Sequence, residues 1–466
     1  MNTIDLNGKP FHFIGIGGIG MSALAYILAK RNIPLSGSDL RCSNIIERLQ
    51  SLGAEVFLTQ NGANFDQFAQ RPSPLNIPQI ICSTAINENN LEYKEAVNQG
   101  YPIFHRSDLL SALIKNYHSI AVAGTHGKTT TSSLIGYMLL QAGLDPTVII
   151  GGEVDLWEGN ARVGDGDFLV AEADESDGSL VKHSPHIGII TNIELDHPDH
   201  YETVEQVVAI FQQFASQCQW VVACADCPTI AENIKADITY SIKDNDQANY
   251  LGREIVHTPH GSSAEVWENG QLLGTINLLL SGDHNISNAL SAVAVGRKLG
   301  LDFAVIAASI TGFDGAKRRF EYKGDYHGAT LIDDYAHHPS EIRCTLQSAQ
   351  FRAPSYHAER IIAIFQPHRY SRTASFLTEF AQCFTGADVV IVTDIYSAGE
   401  KNETGIDGQK VAETIKKYHR QVIYHADLTT LAEFLANFLQ KGDLALFLGA
   451  GNLNQIIPRL LDESLL

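Results

Sequence analysis

The residues with the strongest chemical signature run from Gly124 to Thr131, in the order Gly-Thr-His-Gly-Lys-Thr-Thr-Thr. An apolar run of strand length, ending at Gly124, precedes them. Ser132 to Ala142 follows, with Leu134, Met138 and Leu139 at helical spacing. Strand, glycine turn, Lys-Thr and helix together cradle phosphate, because backbone N–H groups at a helix start face the anion. Gly124 and Gly127 let the backbone approach closely. Lys128 supplies a point charge for the β- and γ-phosphates of ATP, and the Thr129 hydroxyl can ligate Mg²⁺. Thr125, His126 and Thr130 complete the loop. One position departs from the general phosphate loop, which has Gly where this chain has Val122.

Carboxylates and imidazoles follow at strand ends. Asp167 to Asp174 is an apolar run that turns acidic, with Glu172, Asp174, Glu175 and Asp177 crowded at its end. A buried strand delivering carboxylates to its C-terminal end places metal ligands beside a phosphate loop. A second run, His186 to Asn192, leads into Glu194-Leu-Asp-His-Pro-Asp-His200. There His197 could ligate a metal with Asp196 behind it, or the segment could be a solvated loop. Asn285 and Asn288 lie on one face of a helix start. Their amides could read an adenine edge, hold phosphate or cap the helix.

Further on, Asp333-Asp-Tyr-Ala-His-His-Pro339 and Gln366-Pro-His-Arg-Tyr-Ser-Arg372 also sit just past strand-length runs. Arg369 and Arg372 could clamp a carboxylate bidentately, and Lys317-Arg-Arg319 could meet phosphates. Solvated surface is the lesser alternative for Arg369 and Arg372, and an alternative for Lys317-Arg-Arg319. Near the start, Gly15-x-Gly17-x-x-Gly20 follows a strand, with Gly18 inside the turn and Asp39 about 20 residues on. Alone this pattern points to NAD, but the same geometry holds any diphosphate at a helix N-terminus. Asp39 is a ligand contact or a plain turn residue on equal terms.

The elements that must position these groups alternate between strand and helix through the whole chain, so an α/β fold is expected. At 466 residues the chain has room for about three domains. Residues 1–116 predict a small Rossmann-like sheet, with strand-length runs that include Gln79 to Ser83. Residues 117–316 predict a central P-loop ATPase-type α/β domain, with a β-hairpin inserted over 253–282 around the Asn269-Gly270 turn. Residues 317–466 predict a second Rossmann-like unit, with five strand-length runs from Ala329 to Leu448.

Composition sets further limits. Hydrophobic residues make up 44% and charged residues 18%, as in a globular protein. The formal charge of −20 argues against a nucleic-acid partner, which needs a basic face. Seven scattered cysteines fit a reducing cytoplasm. Cys224-Ala-Asp-Cys227 has the spacing of half a zinc site, but no second pair follows, and strand-end cysteines are the better reading. The N-terminus has no basic region, so no signal peptide is expected. Glycines break Phe13 to Ala29 into strand, turn and helix, so no membrane insertion is expected.

Together these clusters resemble the Mur ligase family. Gly-Ile-Gly-Gly-Ile-Gly-Met-Ser, Gly-Thr-His-Gly-Lys-Thr-Thr-Thr, Glu-Ala-Asp-Glu-Ser-Asp, Asp-His-Pro-Asp-His, Asp-Tyr-Ala-His-His-Pro and Pro-His-Arg-Tyr-Ser-Arg fall in the family's order across nearly the whole chain. The shortened phosphate loop, without Gly at position 122, is that of such ATP-dependent amide-bond ligases. His126 and the first glycine turn resemble the branch that adds L-alanine to UDP-N-acetylmuramate in peptidoglycan synthesis. A ligase that attaches a recycled peptide to the same sugar is the alternative.

The resemblance implies that Gly15, Gly17, Gly18 and Gly20 face the UDP diphosphate, with Asp39 and Ser83 also on the substrate. It implies Lys128 and Thr129 on ATP, and Thr129, Glu172 and His197 near Mg²⁺. Asn285, Asn288, Arg319 and Asp334 would surround the nucleotide. His337, His368, Arg369 and Arg372 would face the muramoyl carboxylate and the incoming alanine. Several related ligases use a carbamylated Lys soon after the metal-site His. This chain has no Lys between Lys182 and Lys235, so that device is absent.

Overall fold

The computed structural model describes residues 3–243 and 245–462. The α/β class expected from the sequence is what the chain adopts, as three units each built on its own sheet. Short runs rich in Ile, Val and Phe are buried on both faces, which is the environment of parallel strands covered by helices.

The first sheet has the order β3-β2-β1-β4-β5 with all neighbours parallel. Its strands are β1 (Phe11–Ile14), β2 (Leu35–Ser38), β3 (Glu55–Phe57), β4 (Gln79–Cys82) and β5 (Ile103–His105). Helix α1 (Ile19–Lys30) follows β1, and α2 (Arg106–Lys115) follows β5. The winding direction reverses between β1 and β4. A crevice therefore opens past their C-terminal ends, where the Gly15–Gly20 turn and Ser83 lie.

The second sheet runs β15-β14-β13-β12-β11-β10-β6-β9-β7-β8. Here β6 (His118–Ala123) leads into α3 (Lys128–Gln141), and then come β7 (Thr147–Val154), β8 (Gly159–Arg162), β9 (Phe168–Glu172), β10 (Ile187–Ile190), β11 (Trp220–Cys224) and β12 (Ile238–Ser241). Because β6 lies between β9 and β10, the phosphate loop, Glu172 and the Thr191–His197 segment emerge side by side. The expected hairpin is a three-stranded antiparallel meander, β13 (Tyr250–Thr258), β14 (Gly261–Glu268) and β15 (Gln271–Leu278). Its second turn has positive φ at Asn269 (49°) and Gly270 (81°), the conformation a two-residue hairpin requires. The meander extends the main sheet, since β13 pairs with β12 in parallel. Helix α4 (Asp283–Lys298) follows it.

The third sheet has the order β16-β17-β21-β18-β19-β20. Five of its strands match the anticipated apolar runs: β17 (Ala329–Asp334), β18 (Arg360–Phe365), β19 (Val389–Val392), β20 (Val422–Tyr424) and β21 (Asp443–Leu448). The sixth, β16 (Glu321–Tyr326), is an antiparallel edge strand whose largely polar residues, half of them exposed, gave no apolar signal. Helix α5 (Pro339–Arg352) follows β17.

The two junctions differ in kind. Ile149, Ala161, Leu169 and Ala171 of the central sheet pack into the apolar core of the first unit. The third unit meets the central one through Leu195, which packs against its apolar core, and through polar pairs, among them Ser340 on Glu194, Arg369 on Asp199 and Arg372 on Asp196. A junction so rich in polar pairs is where relative domain motion is expected.

Candidate active site between the three units

The phosphate loop is built by close contact as much as by sequence. Gly124 has φ +140°, and a Cβ there would lie 2.0 Å from Thr191 Oγ1. Gly127 has φ +80° and caps α3, and a Cβ there would lie 2.8 Å from Asn288 Oδ1. Neither position has room for another residue. Lys128 folds back over its own loop. Its Nζ donates to Glu175 Oε2 at 2.8 Å and Oε1 at 3.0 Å, to the Thr125 carbonyl at 3.2 Å and to the Gly124 carbonyl. Burial opposes the lysine charge, but Glu175, Asp174 and Glu172 outweigh it and hold the ammonium above the ordinary lysine range.

Beside the loop, the Thr129 hydroxyl donates to Glu172 Oε2 at 2.9 Å, and the Gly151 amide donates to the same oxygen at 2.7 Å. The β7 strand, which the sequence did not reveal, thus anchors the acidic end of β9. His197 has φ +55°. Its Nε2 lies 3.6 Å from Asp196 Oδ2 and 3.8 Å from Glu175 Oε1. Burial lowers the His197 pKa, against the pull of Asp196.

Thr129, Glu172 and His197 line a cleft of about 1100 Å³ that all three units share. From the first unit come Gly18, Gly20 and Ser83, and from the loop Thr125, His126, Gly127 and Lys128. The third unit adds His337, His368, Arg369 and Arg372, and Arg319 enters at the junction.

The remaining candidate residues lie behind this lining. Gly15 begins the glycine turn at φ +82°. The Gly17 amide donates to Asp39 Oδ2 at 2.9 Å, so Asp39 braces the turn from beneath. Thr130 is buried in the first turn of α3. Asn288 packs on Gly127, and the Asn285 side-chain Nδ2 donates to the Ser281 carbonyl at 2.8 Å. Asp334 is buried and accepts from the Phe320 and Ala336 amides at 2.7 and 2.8 Å and from Thr345 Oγ1 at 3.1 Å. Burial raises its pKa, with Arg319 opposing.

That anchoring has a consequence for Arg319. Arg318 and Phe320 both have positive φ, 58° and 52°. Asp333 holds Arg318 Nε at 3.1 Å, and Asp334 holds the Phe320 amide. The residue between them is thereby presented to the cleft.

The expected Arg369–Arg372 clamp is divided. Arg372 is buried and binds Asp196 through Nε at 2.8 Å and Nη2 at 3.3 Å, and its Nη1 donates to His368 Nδ1 at 3.1 Å. Arg369 pairs with Asp199 at 2.7 Å and Glu400 at 3.2 Å. His337 donates from Nδ1 to the Tyr335 carbonyl at 2.9 Å, which leaves Nε2 as the acceptor. Burial pushes its imidazole down to about 4 despite Glu341, so it is neutral near pH 7. His338 accepts the Ser340 amide at Nδ1 and caps α5, and it does not line the cleft.

Arg106 and Glu341 line the cleft without having carried a sequence signal. Arg106, at the start of α2, pairs with Asp174 at 3.1 Å and Asp177 at 3.4 Å. Its Nη1 lies 3.1 Å from where a Gly20 Cβ would be. It thus adds a guanidinium to the N-terminus of α1, the place a diphosphate would take. A single Arg opening a helix has no motif, and only the meeting of two units gives it a role.

Comparison with known proteins follows this division into units. Residues 10–118 match the Mur ligase family, catalytic domain, residues 122–296 the Mur ligase middle domain, and residues 318–451 the Mur ligase, glutamate ligase domain. The chain is 61% identical to a UDP-N-acetylmuramate–L-alanine ligase of Gloeothece citriformis, over 99% of both chains. It is also 61% identical to one of Microcystis aeruginosa, over 99% of this chain and 97% of that one. Among solved structures, the UDP-N-acetylmuramate-alanine ligase of Thermotoga maritima superposes with a TM-score of 0.82 at 28% identity, covering 98% of this chain and 99% of that one. A murein peptide ligase from Psychrobacter arcticus shares the fold, with a TM-score of 0.71 at 23% identity over 97% and 98% of the two chains.

Proposed function

This chain belongs to the Mur ligase family, and we infer that it joins L-alanine to the lactyl carboxylate of UDP-N-acetylmuramate, using ATP, in peptidoglycan synthesis. The observation that carries the reading is the shared cleft. A phosphate loop, a glycine turn suited to a sugar nucleotide and a histidine–arginine face open into one space. The relatives at 61% identity bear the name of the alanine-adding enzyme, which favours it over the peptide-attaching alternative.

In this reading the first unit holds the UDP moiety at the N-terminus of α1, with Arg106 and Ser83 beside it. ATP lies along the loop. Lys128 exchanges Glu175 for the phosphate oxygens and stabilises charge on the transferring phosphoryl. A carboxylate oxygen of the muramoyl group attacks the γ-phosphorus, the bond to the β-phosphate bridging oxygen breaks, and ADP leaves. The alanine nitrogen then attacks the acyl-phosphate carbonyl, the amide C–N bond forms, and inorganic phosphate departs. The amine must lose protons to attack. Neutral His337, with Nε2 free to accept, is better suited to take one than His338, whose Nδ1 is engaged.

The oxygens of Thr129 and Glu172, adjacent at the helix start, are donors of the kind Mg²⁺ takes, and His197 lines the same cleft. When bound there, Mg²⁺ would neutralise charge on the β- and γ-phosphates. Among the described residues no helix is long and apolar enough to cross a membrane, and the reading puts the enzyme in the cytoplasm with its nucleotides.

The test is phosphate release with ATP, Mg²⁺ and UDP-N-acetylmuramate, adding L-alanine, glycine, L-serine or a tripeptide in turn. Release that depends on L-alanine is expected. Release with the tripeptide alone would assign the chain to peptide attachment.

A further inference from the structure

His126 is the phosphate-loop side chain that reaches the third unit. Its backbone is fixed on both sides: its amide donates to Asn192 Oδ1 at 2.8 Å, and its carbonyl accepts Thr191 Oγ1 at 2.6 Å and Asn192 Nδ2 at 3.0 Å. The ring is therefore held toward α5. Nδ1 lies 3.4 Å from Glu341 Oε1 of the third unit, and Nε2 lies 3.4 Å from Glu194 Oε2 of the central unit. The His338 ring lies alongside, with centroids 4.7 Å apart.

We propose that His126 is a positioning residue: as an imidazolium bridging Glu194 and Glu341, it couples closure of the third unit to the set of the phosphate loop. The inference rests on the ligase reading above.

Glu341 makes the coupling reach the cleft. It is the third residue of α5, and its carboxylate accepts the His337 amide at 3.0 Å and the His338 amide at 3.3 Å. Its other oxygen lies 3.7 Å from Arg319 Nη1. The carboxylate that meets His126 is thus the one that fixes His337 and Arg319, both on the cleft wall. If the third unit swings away, the loop loses its partner and the cleft loses these two groups together.

The charges around His126 come from every side. Glu194 faces it from the segment after β10, Glu341 from the start of α5 with the neutral His338 ring beside it, and Arg319 from the junction through Glu341. Burial opposes a charge on His126, but Glu194 and Glu341 outweigh it and push the imidazole up to about 10. His126, Glu194 and His338 also bring donor atoms within 4.8 Å of one another. With both ring nitrogens protonated, His126 offers no lone pair to a metal. The bridge is complete at neutral pH and is lost as pH rises through about 10.

The experiment compares wild type, H126Q, E341Q and the double variant. Closure is followed by small-angle scattering as a non-hydrolysable ATP analogue is added with UDP-N-acetylmuramate, from pH 7 to pH 10.5. Turnover is measured in parallel. Wild type should close at pH 7.5 and need progressively more nucleotide above pH 9. H126Q and E341Q should each need on the order of tenfold more nucleotide at pH 7.5, within the usual range of coupling between sites. Both should show no alkaline break, with kcat lowered more than the KM for alanine. The double variant should be no worse than either single one. Losses that add in the double variant, or an alkaline break that persists in H126Q, would overturn the proposal. Absence of alanine-dependent phosphate release by wild type would instead overturn the ligase reading, and the closure titration would still decide the role of His126.

Discussion

Arg372 of the third unit grips Asp196 of the central unit through two bonds, Nε to Oδ1 at 2.8 Å and Nη2 to Oδ2 at 3.3 Å. Both side chains are buried, with relative exposures of 2% and 5%. Removing one partner of a buried pair leaves an uncompensated charge, at a cost of about 3–5 kcal/mol. The closed arrangement bears that cost, because an opened junction returns Asp196 to water. Arg372→Ala should therefore lower kcat by roughly 100-fold or more and shift scattering toward the open form. Arg372→Lys should not restore activity, since an ammonium cannot make the two-bond fork. A variant that closes normally and shows only a raised KM for alanine would make Arg372 a substrate clamp.

Lys128→Ala removes the charge that meets the transferring phosphoryl. Turnover should fall on the order of 10³-fold or more, the scale of losing one fixed electrostatic stabiliser in a closed site. UDP-N-acetylmuramate binding, read by calorimetry, should change less than about twofold, because Gly18, Gly20 and Arg106 belong to the first unit. Near-normal turnover would remove the loop from the chemistry.

Two glycines with positive φ separate backbone strain from steric exclusion. At Gly143 (φ +75°) nothing lies within 4 Å of an added Cβ, whereas at Gly124 (φ +140°) Thr191 Oγ1 would be 2.0 Å away. Gly143→Ala should cost about 1–2 kcal/mol, the penalty of the left-handed region alone. Gly124→Ala should cost more than about 4 kcal/mol or prevent folding, because Thr191 is itself pinned to the Ala123 and His126 carbonyls. Denaturant unfolding of the two variants checks the difference. Equal losses would mean that the loop can shift to admit a side chain.

The same contrast explains what the sequence could and could not reveal. The phosphate loop was legible because its glycines, Lys128 and Thr129 act within one short segment. The α/β alternation was legible from apolar runs. The edge strands β8 and β16 were not, since Gly-Asn-Ala-Arg and the half-exposed Glu321–Tyr326 carry little apolar periodicity. Arg372 could be read as a residue that binds carboxylates, but a sequence holds many carboxylates, and only the folded chain selects Asp196. Arg106 and Glu341 were silent for the same reason. Their partners lie in other units, and no local pattern records a meeting that three separate sheets bring about.

Buried histidines cost the fold stability between about pH 6.5 and 4. Burial pushes His183, His284, His337 and His338 down to about 4, and His368 to about 3. In the unfolded chain each would titrate near 6.5. Below that value the unfolded state binds more protons than the folded one, so stability falls as pH drops from about 6.5 toward 4. Each histidine contributes up to about 1.4 kcal/mol per pH unit in that window. His126 has the opposite sign: its raised pKa adds stability that is complete below 6.5 and fades as pH rises through about 10. His284 is the informative member, because it does not line the cleft and Asp283 only partly offsets its burial. His284→Gln should flatten the pH dependence of urea unfolding between pH 6.5 and 4.5 by about one proton, with turnover at pH 7.5 changed far less than by Lys128→Ala. An unchanged slope would mean that His284 takes up its proton in the folded state, and that the carboxylates alone govern acid unfolding.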